Sequence, residues 1–133
     1  MDAPTLLEIR TAIAKNVQDS NCHGFSLFAS GVRSVDMPVN ALSANHQYFS
    51  KLPTRQEPQA GYLLAWETYD PEAEPVNGKR IAIPHSGIVV IANPLLLTHR
   101  LCSRGPIVEY QPVIAMENLH RYTQKFYVPR NLE

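Results

Sequence analysis

Residues 79–94 read K-R-I-A-I-P-H-S-G-I-V-V-I-A-N-P, the longest apolar and β-branched run of the chain. Ile81 and Ile83 alternate around Ala82, and Ile88, Val89, Val90 and Ile91 then follow without a polar residue. This pattern predicts strand, bend and a second strand covered on both faces. Proline cannot donate to a ladder and glycine weakens a strand interior, so a bend or bulge is expected from Pro84 to Gly87. Residues 61–69 predict another interior strand. Tyr62, Leu64, Trp66 and Thr68 lie on one face, and Leu63, Ala65 and Glu67 on the other. Between the two runs, Asn77-Gly78 is a two-residue hairpin turn, because both positions tolerate positive φ.

Helical spacing shows most clearly at the start. Thr5-Leu-Leu-Glu8 matches a capping box, and Leu6, Ile9, Ile13 and Val17 form one face of a helix over residues 5–19. After a break at Gly24, the apolar residues 25–30 read as a short strand. Residues 32–59 carry little pattern, which suits either a functional loop or a concealed element. Residues 107–110 and 113–115 read as short strands. Met116, Leu119, Thr123 and Phe126 share a stripe that predicts a closing helix over 116–126. The expected fold is therefore α+β and mainly β. A small antiparallel or mixed sheet, or a partial barrel, is joined by the amphipathic N-terminal helix (5–19) and the short C-terminal helix (116–126).

Length narrows this to one domain, since 133 residues can bury a modest core without a metal or disulfide. The terminal Leu132-Glu133 has the look of a cloning scar, in which case the domain is a piece of a longer protein. Twelve basic and twelve acidic residues cancel, which disfavours nucleic acid as a general partner. The chain has no apolar run long enough to span a bilayer, and its start lacks a signal peptide's character, so a cytoplasmic protein with no membrane role is expected. Cys22 and Cys102, sparse and without an export signal, read better as two thiols than as a disulfide.

Candidate chemistry is thin. Neither a dinucleotide or P-loop glycine motif nor the nucleophile elbow G-x-S-x-G occurs. His85-Ser86 is the nearest approach to a catalytic pair, but neighbours on a strand point to opposite faces, so a turn is the better reading. Cys22, His23, His99 and Cys102 supply the ligand types of a zinc site, yet their spacing fits no finger, and no metal or cofactor is expected. Glu117 and His120 read as a surface pair. His120, Arg121, Lys125 and Arg130 interleave with Tyr122, Phe126 and Tyr127, the mixture that a single-strand groove uses.

The segments Gly61-Tyr-Leu-Leu-Ala, Gly78 through Pro94 and Arg104-Gly105 together resemble the C-terminal β domain of the succinylglutamate desuccinylase and aspartoacylase family. That resemblance implies a small barrel-like domain packed beside a zinc carboxypeptidase-like catalytic domain. The family's His-x-x-Glu signature follows none of His23, His46, His85, His99 or His120, so it implies an accessory domain without the metal centre. The leading expectation is thus a non-catalytic binding or accessory domain with a protein partner or a second copy of itself, using Trp66, His85, Tyr110, Arg121, Tyr122 and Lys125 as contacts. The alternatives are a single-stranded nucleic-acid binder using the C-terminal basic and aromatic segment, and a small enzyme with its site near His85, Trp66 and the 32–59 loop.

Overall fold

A computed structural model describes residues 1–101 and 103–132. Three helices, α1 (Ala3–Ala14), α2 (Cys22–Ala29) and α3 (Ala44–Gln47), precede most of the sheet. The strands are β1 (Thr54–Arg55), β2 (Leu63–Tyr69), β3 (Pro75–Val76), β4 (Lys79–Ile91), β5 (Leu96–Arg100), β6 (Ile107–Pro112) and β7 (Thr123–Tyr127). All pairings are antiparallel in the order β1-β7-β2-β4-β5-β6, with β3 hairpinned onto β4. The α+β, β-rich architecture expected from the sequence is present.

The sheet separates two cores. One gathers Phe25, Leu27, Phe28, Phe49, Leu52, Leu63, Ile83, Ile88 and Tyr127 under α2. The other holds Leu64, Trp66, Val89, Leu97, Val113 and Met116. Each fully buried large side chain contributes about 1.5–3 kcal/mol. The weakly patterned residues 32–59 serve the first core, since Val39, Ala44, Phe49 and Leu52 are all buried there. The segment forms α3, a 3-10 turn over Phe49–Lys51 and the two-residue strand β1, where residues 45–52 read as a possible helical turn packed by Tyr48, Phe49 and Leu52.

The expected strand over 25–30 is instead the body of α2. Asn21 takes the extended N-cap conformation and its side chain accepts from the Gly24 amide at 2.9 Å. All eight residues of the helix are buried, so it shows no polar face and reads like a covered strand. Gly24 is no break. The Met37 carbonyl occupies the place where a Cβ at residue 24 would stand, so only glycine lets the following loop cross the helix.

Helix α1 is also corrected. Its N-cap is Asp2, which accepts from the Thr5 amide at 2.8 Å, and it ends at Ala14. Thr11 and Ala14 are buried with Leu7 packed beside them, whereas Ile9 and Ile13 are 43% and 51% exposed. Arg100 fixes the stop, donating to the Ala14 carbonyl at 2.9 Å while its guanidinium also meets buried Asp36 at 3.5 Å. The predicted closing helix over 116–126 is not formed. Two 3-10 turns, Val113–Ala115 and Glu117–Leu119, lead into β7, which fills the place between β1 and β2. Phe126 packs into one core and Tyr127 into the other, the alternation of a strand. Among the described residues no helix is long and apolar enough to cross a membrane.

Strand β4 is the spine. Asn77 (φ 50°) and Gly78 (φ 78°) make the expected turn into it. Trp66 pairs with His85 but Thr68 pairs with Ala82, so Ile83 and Pro84 together oppose Glu67 in a bulge. The expected irregularity therefore lies at 83–84. Gly87 stays in the ladder opposite Leu64. A Cβ there would meet the Leu97 side chain at 2.6 Å and His99 Cβ at 2.9 Å.

Candidate functional site

Alternation along β4 sends His85 and Ser86 to different cores, and each finds its partner elsewhere. Ser86 meets His23 of α2, with Ser86 Oγ to His23 Nδ1 at 2.7 Å, while His23 Nε2 lies 2.6 Å from the Ile83 carbonyl. A carbonyl only accepts, so His23 donates from Nε2 and accepts from Ser86 at Nδ1. Ser26, 3.3 Å from Ser86, gives its own proton to the Cys22 carbonyl at 2.7 Å. The group is sealed, with His23 1% exposed and both serines at zero. Burial pushes the His23 pKa down to about 4, only partly opposed by the Ile83 bond, so the ring is neutral.

His85 faces the other way. Its Nε2 lies 2.7 Å from His99 Nδ1, and His99 Nε2 lies 2.7 Å from Gln111 Oε1. With the amide oxygen as acceptor, His99 is protonated at Nε2 and accepts at Nδ1, and His85 in turn is protonated at Nε2. Its Nδ1 is then a lone-pair nitrogen, and it bonds no described residue. Burial, then the neighbouring His99 and His23 rings, pushes the His85 pKa down to about 3. Burial lowers that of His99 as well, against the Gln111 bond. Trp66, fully buried behind His85 with ring centroids 5.6 Å apart, fixes the imidazole from the core side.

Cys22, Pro84, His85, His99, Gln111 and Met116 line one cleft of about 410 Å³, with Leu101, Ala115, Asn118 and Leu119 on its walls. Cys22 arrives there as the first residue of α2, directly after the Asn21 cap. The bulge at 83–84 turns His85 toward this cleft and the tight packing at Gly87 seats His99 against β4. A thiol, a neutral imidazole with an open nitrogen, and a second imidazole orienting the first thus share one apolar-walled cleft.

The remaining sequence candidates are scattered. Tyr110, 59% exposed, lines a different cavity of about 450 Å³ between α1 and the sheet, with Thr11, Val89 and Thr98. Arg121 lies over the Tyr122 ring at 4.8 Å and donates to its hydroxyl at 2.7 Å. Lys125 pairs with Glu67 at 3.4 Å, and Tyr127 donates to the same carboxylate from a buried position. The aromatics Phe126 and Tyr127 pack inward on the two faces of β7. No residue of 32–59 lines the His85 cleft among those described.

Of the four metal-type residues, Cys22 and His99 reach the cleft, His23 is turned away, and Cys102 lies outside the described residues. Both nitrogens of His23 and of His99 are committed, and no three His, Cys, Asp or Glu side chains among the described residues converge to hold a metal ion. The sequence pattern groups Cys22 with His99 only as zinc-type ligands and sets His85 apart, and nothing in it points to Gln111. The available signal was Asn21 directly before Cys22, an N-cap that would have put the thiol at a helix start. No family model, curated protein or solved structure matches the chain.

Proposed function

We propose that the chain is a cysteine hydrolase acting on acyl substrates, with Cys22 as nucleophile, His85 as general base and then general acid, and His99 as the group that orients His85. The observation that carries this reading is the hydrogen-bond order His85–His99–Gln111. It leaves Nδ1 as the only nitrogen of His85 able to take a proton, in the cleft that Cys22 also lines. A nucleophile, a base and an orienter of the base recur on unrelated folds, and they are recognised by geometry and roles.

The chemistry follows from those roles. Cys22 passes its thiol proton to His85 Nδ1, a weak base after burial lowers its pKa to about 3, in concert with attack of the sulfur on the substrate carbonyl that forms the C–S bond. The leaving amine or alcohol departs with the proton from His85 as its bond to carbon breaks, leaving a thioester on Cys22. Water then gives a proton to His85 and attacks the thioester, and the acid is released as the thiol regains its proton. The amide end of α2 beside the reacting carbonyl favours the negative oxygen of each tetrahedral intermediate. The walls formed by Pro84, Leu101, Met116 and Leu119 supply apolar surface for the acyl group.

The test is acetylation by p-nitrophenyl acetate in a Cys102→Ser background, followed by the burst of p-nitrophenol and by mass spectrometry of the peptide carrying Cys22. A stoichiometric burst with acetyl on Cys22, abolished by Cys22→Ala and strongly slowed by His85→Ala, is expected. A Cys22 that acetylates no faster than a small thiol in solution, or equally fast in His85→Ala, overturns the proposal and returns the cleft to a non-catalytic binding role.

A further inference from the structure

Strand β6 breaks its register beside His99. Leu97 pairs with Gln111, so a regular antiparallel ladder would set His99 opposite Glu109. The observed partner of His99 is Val108. The extra residue is absorbed at Tyr110, whose φ of 58° lies in the left-handed region that a bulky side chain rarely adopts. This irregularity removes Glu109 from the place opposite His99. The carboxylate bonds Lys15 of α1 at 3.0 Å instead. What remains beside the imidazole is a half-buried, uncharged amide whose oxygen sits 2.7 Å from Nε2. Strained non-glycine backbone at such a point is commonly retained where a site requires it.

The distinction between amide and carboxylate is chemical. A carboxylate would favour the doubly protonated imidazolium of His99, in which Nδ1 donates and can no longer accept from His85. His85 would then have to offer Nε2 as the lone pair and carry its proton on Nδ1, the nitrogen needed as base. A neutral acceptor holds His99 neutral and holds the whole chain in one tautomer.

Building on the acyl-transfer reading above, we infer that Gln111 is a positioning residue, a neutral hydrogen-bond acceptor that sets the tautomers of His99 and His85 so that Nδ1 of His85 is the proton-accepting nitrogen for Cys22. It acts through His99, and the β6 bulge at Tyr110 removes Glu109 from the place opposite that ring.

The experiment compares the full chain with Gln111→Ala and Gln111→Glu, each checked for an unchanged thermal transition, by two readouts. The first is ¹⁵N NMR of the histidine rings at neutral pH, which reports the protonated nitrogens whether or not acylation occurs. The second is the burst rate with p-nitrophenyl acetate against pH. The parent protein is expected to show Nε2–H tautomers at His85 and His99. Gln111→Ala is expected to show exchange between tautomers at both rings and a burst slower by about 10–100-fold, the scale of loss when the partner that orients a metal-bound histidine is removed. Gln111→Glu should keep the hydrogen bond yet give an imidazolium signal at His99, a displaced pH profile and a similarly slowed burst. Unchanged tautomers in Gln111→Ala, or a Gln111→Glu protein that acylates like the parent, overturn the role of Gln111. A parent protein with the expected tautomers but no acylation at Cys22 overturns the hydrolase reading instead, so the two failures are distinguishable.

Discussion

Two histidine networks lie on opposite sides of β4 and use nearly the same parts to different ends. Under α2, His23 spends both nitrogens, one on the Ile83 carbonyl and one on Ser86, and the group is sealed from solvent. On the other side, His85 spends only Nε2 among the described residues and faces a cleft that Cys22 also lines. Ser86, which stands beside His85 in the sequence, is thus paired with His23 in a structural role. What distinguishes a base from a cross-brace is an uncommitted nitrogen with space in front of it, and both networks have neutral rings because burial disfavours the imidazolium in each.

The contrast can be broken most sharply by exchanging rates for stability. His85→Ala should slow acylation of Cys22 by about 10³-fold, as loss of a positioned base does, with a smaller effect on unfolding. His23→Ala should do the reverse. It is expected to cost about 3 kcal/mol in denaturant unfolding, through the cavity and the two stranded partners, while residual folded protein still acylates. If both variants lose activity and stability in the same proportion, the two networks are one unit and the division fails.

Next in size, Gly87→Ala should destabilise by about 2 kcal/mol because the added methyl meets Leu97 and His99. It should also slow acylation, since the cheapest relief moves His99. A Gly87→Ala protein that is destabilised with acylation unchanged would show that the His99 position tolerates displacement.

The pH dependence has a definite sign. His23 has an ordinary pKa near 6.5 when unfolded and about 4 when folded, so between these values the unfolded state binds more protons. Stability is therefore full above pH about 6.5 and falls as the pH drops toward 4, by about 1.4 kcal/mol per pH unit from this group alone. His85 and His99 are lowered as well and add to it, so urea unfolding at several pH values should show at least that slope, and His23→Phe should reduce it without abolishing it. The smallest effect is Ser86→Ala, which should cost about 1 kcal/mol through the lost bond to His23 and leave acylation intact. Acylation lost in Ser86→Ala would place that serine in the reaction and collapse the comparison.

Much of the fold was legible where a segment's own pattern was decisive. The alternation of residues 61–69 and the Asn77-Gly78 turn became what they promise, because strand faces and positive-φ turns are local properties, whereas the strand, bend and strand expected over 79–94 is one continuous strand whose end at Ile91 is exposed. Segments 25–30 and 116–126 failed for one reason: their states depend on what covers them. A helix buried on every side has no polar face to display its period, and β7 forms because an edge of β2 is open to it.

The candidate site shows the same division. The amino-acid sequence by itself determined the inventory, a cysteine after an asparagine cap, a proline and histidine on the central strand, and a second histidine 14 residues later. It also determined that His85 and Ser86 must part, since successive residues on a strand face opposite ways. Only the tertiary structure decided which histidine keeps an open nitrogen. That choice rests on a bulge opposite Glu67, a second at Tyr110 and the Gly87 contact, and each depends on a neighbouring strand. Hydrogen-bond order is a property of what surrounds a ring, and three chemically identical imidazoles acquire different roles only once the sheet has closed around them.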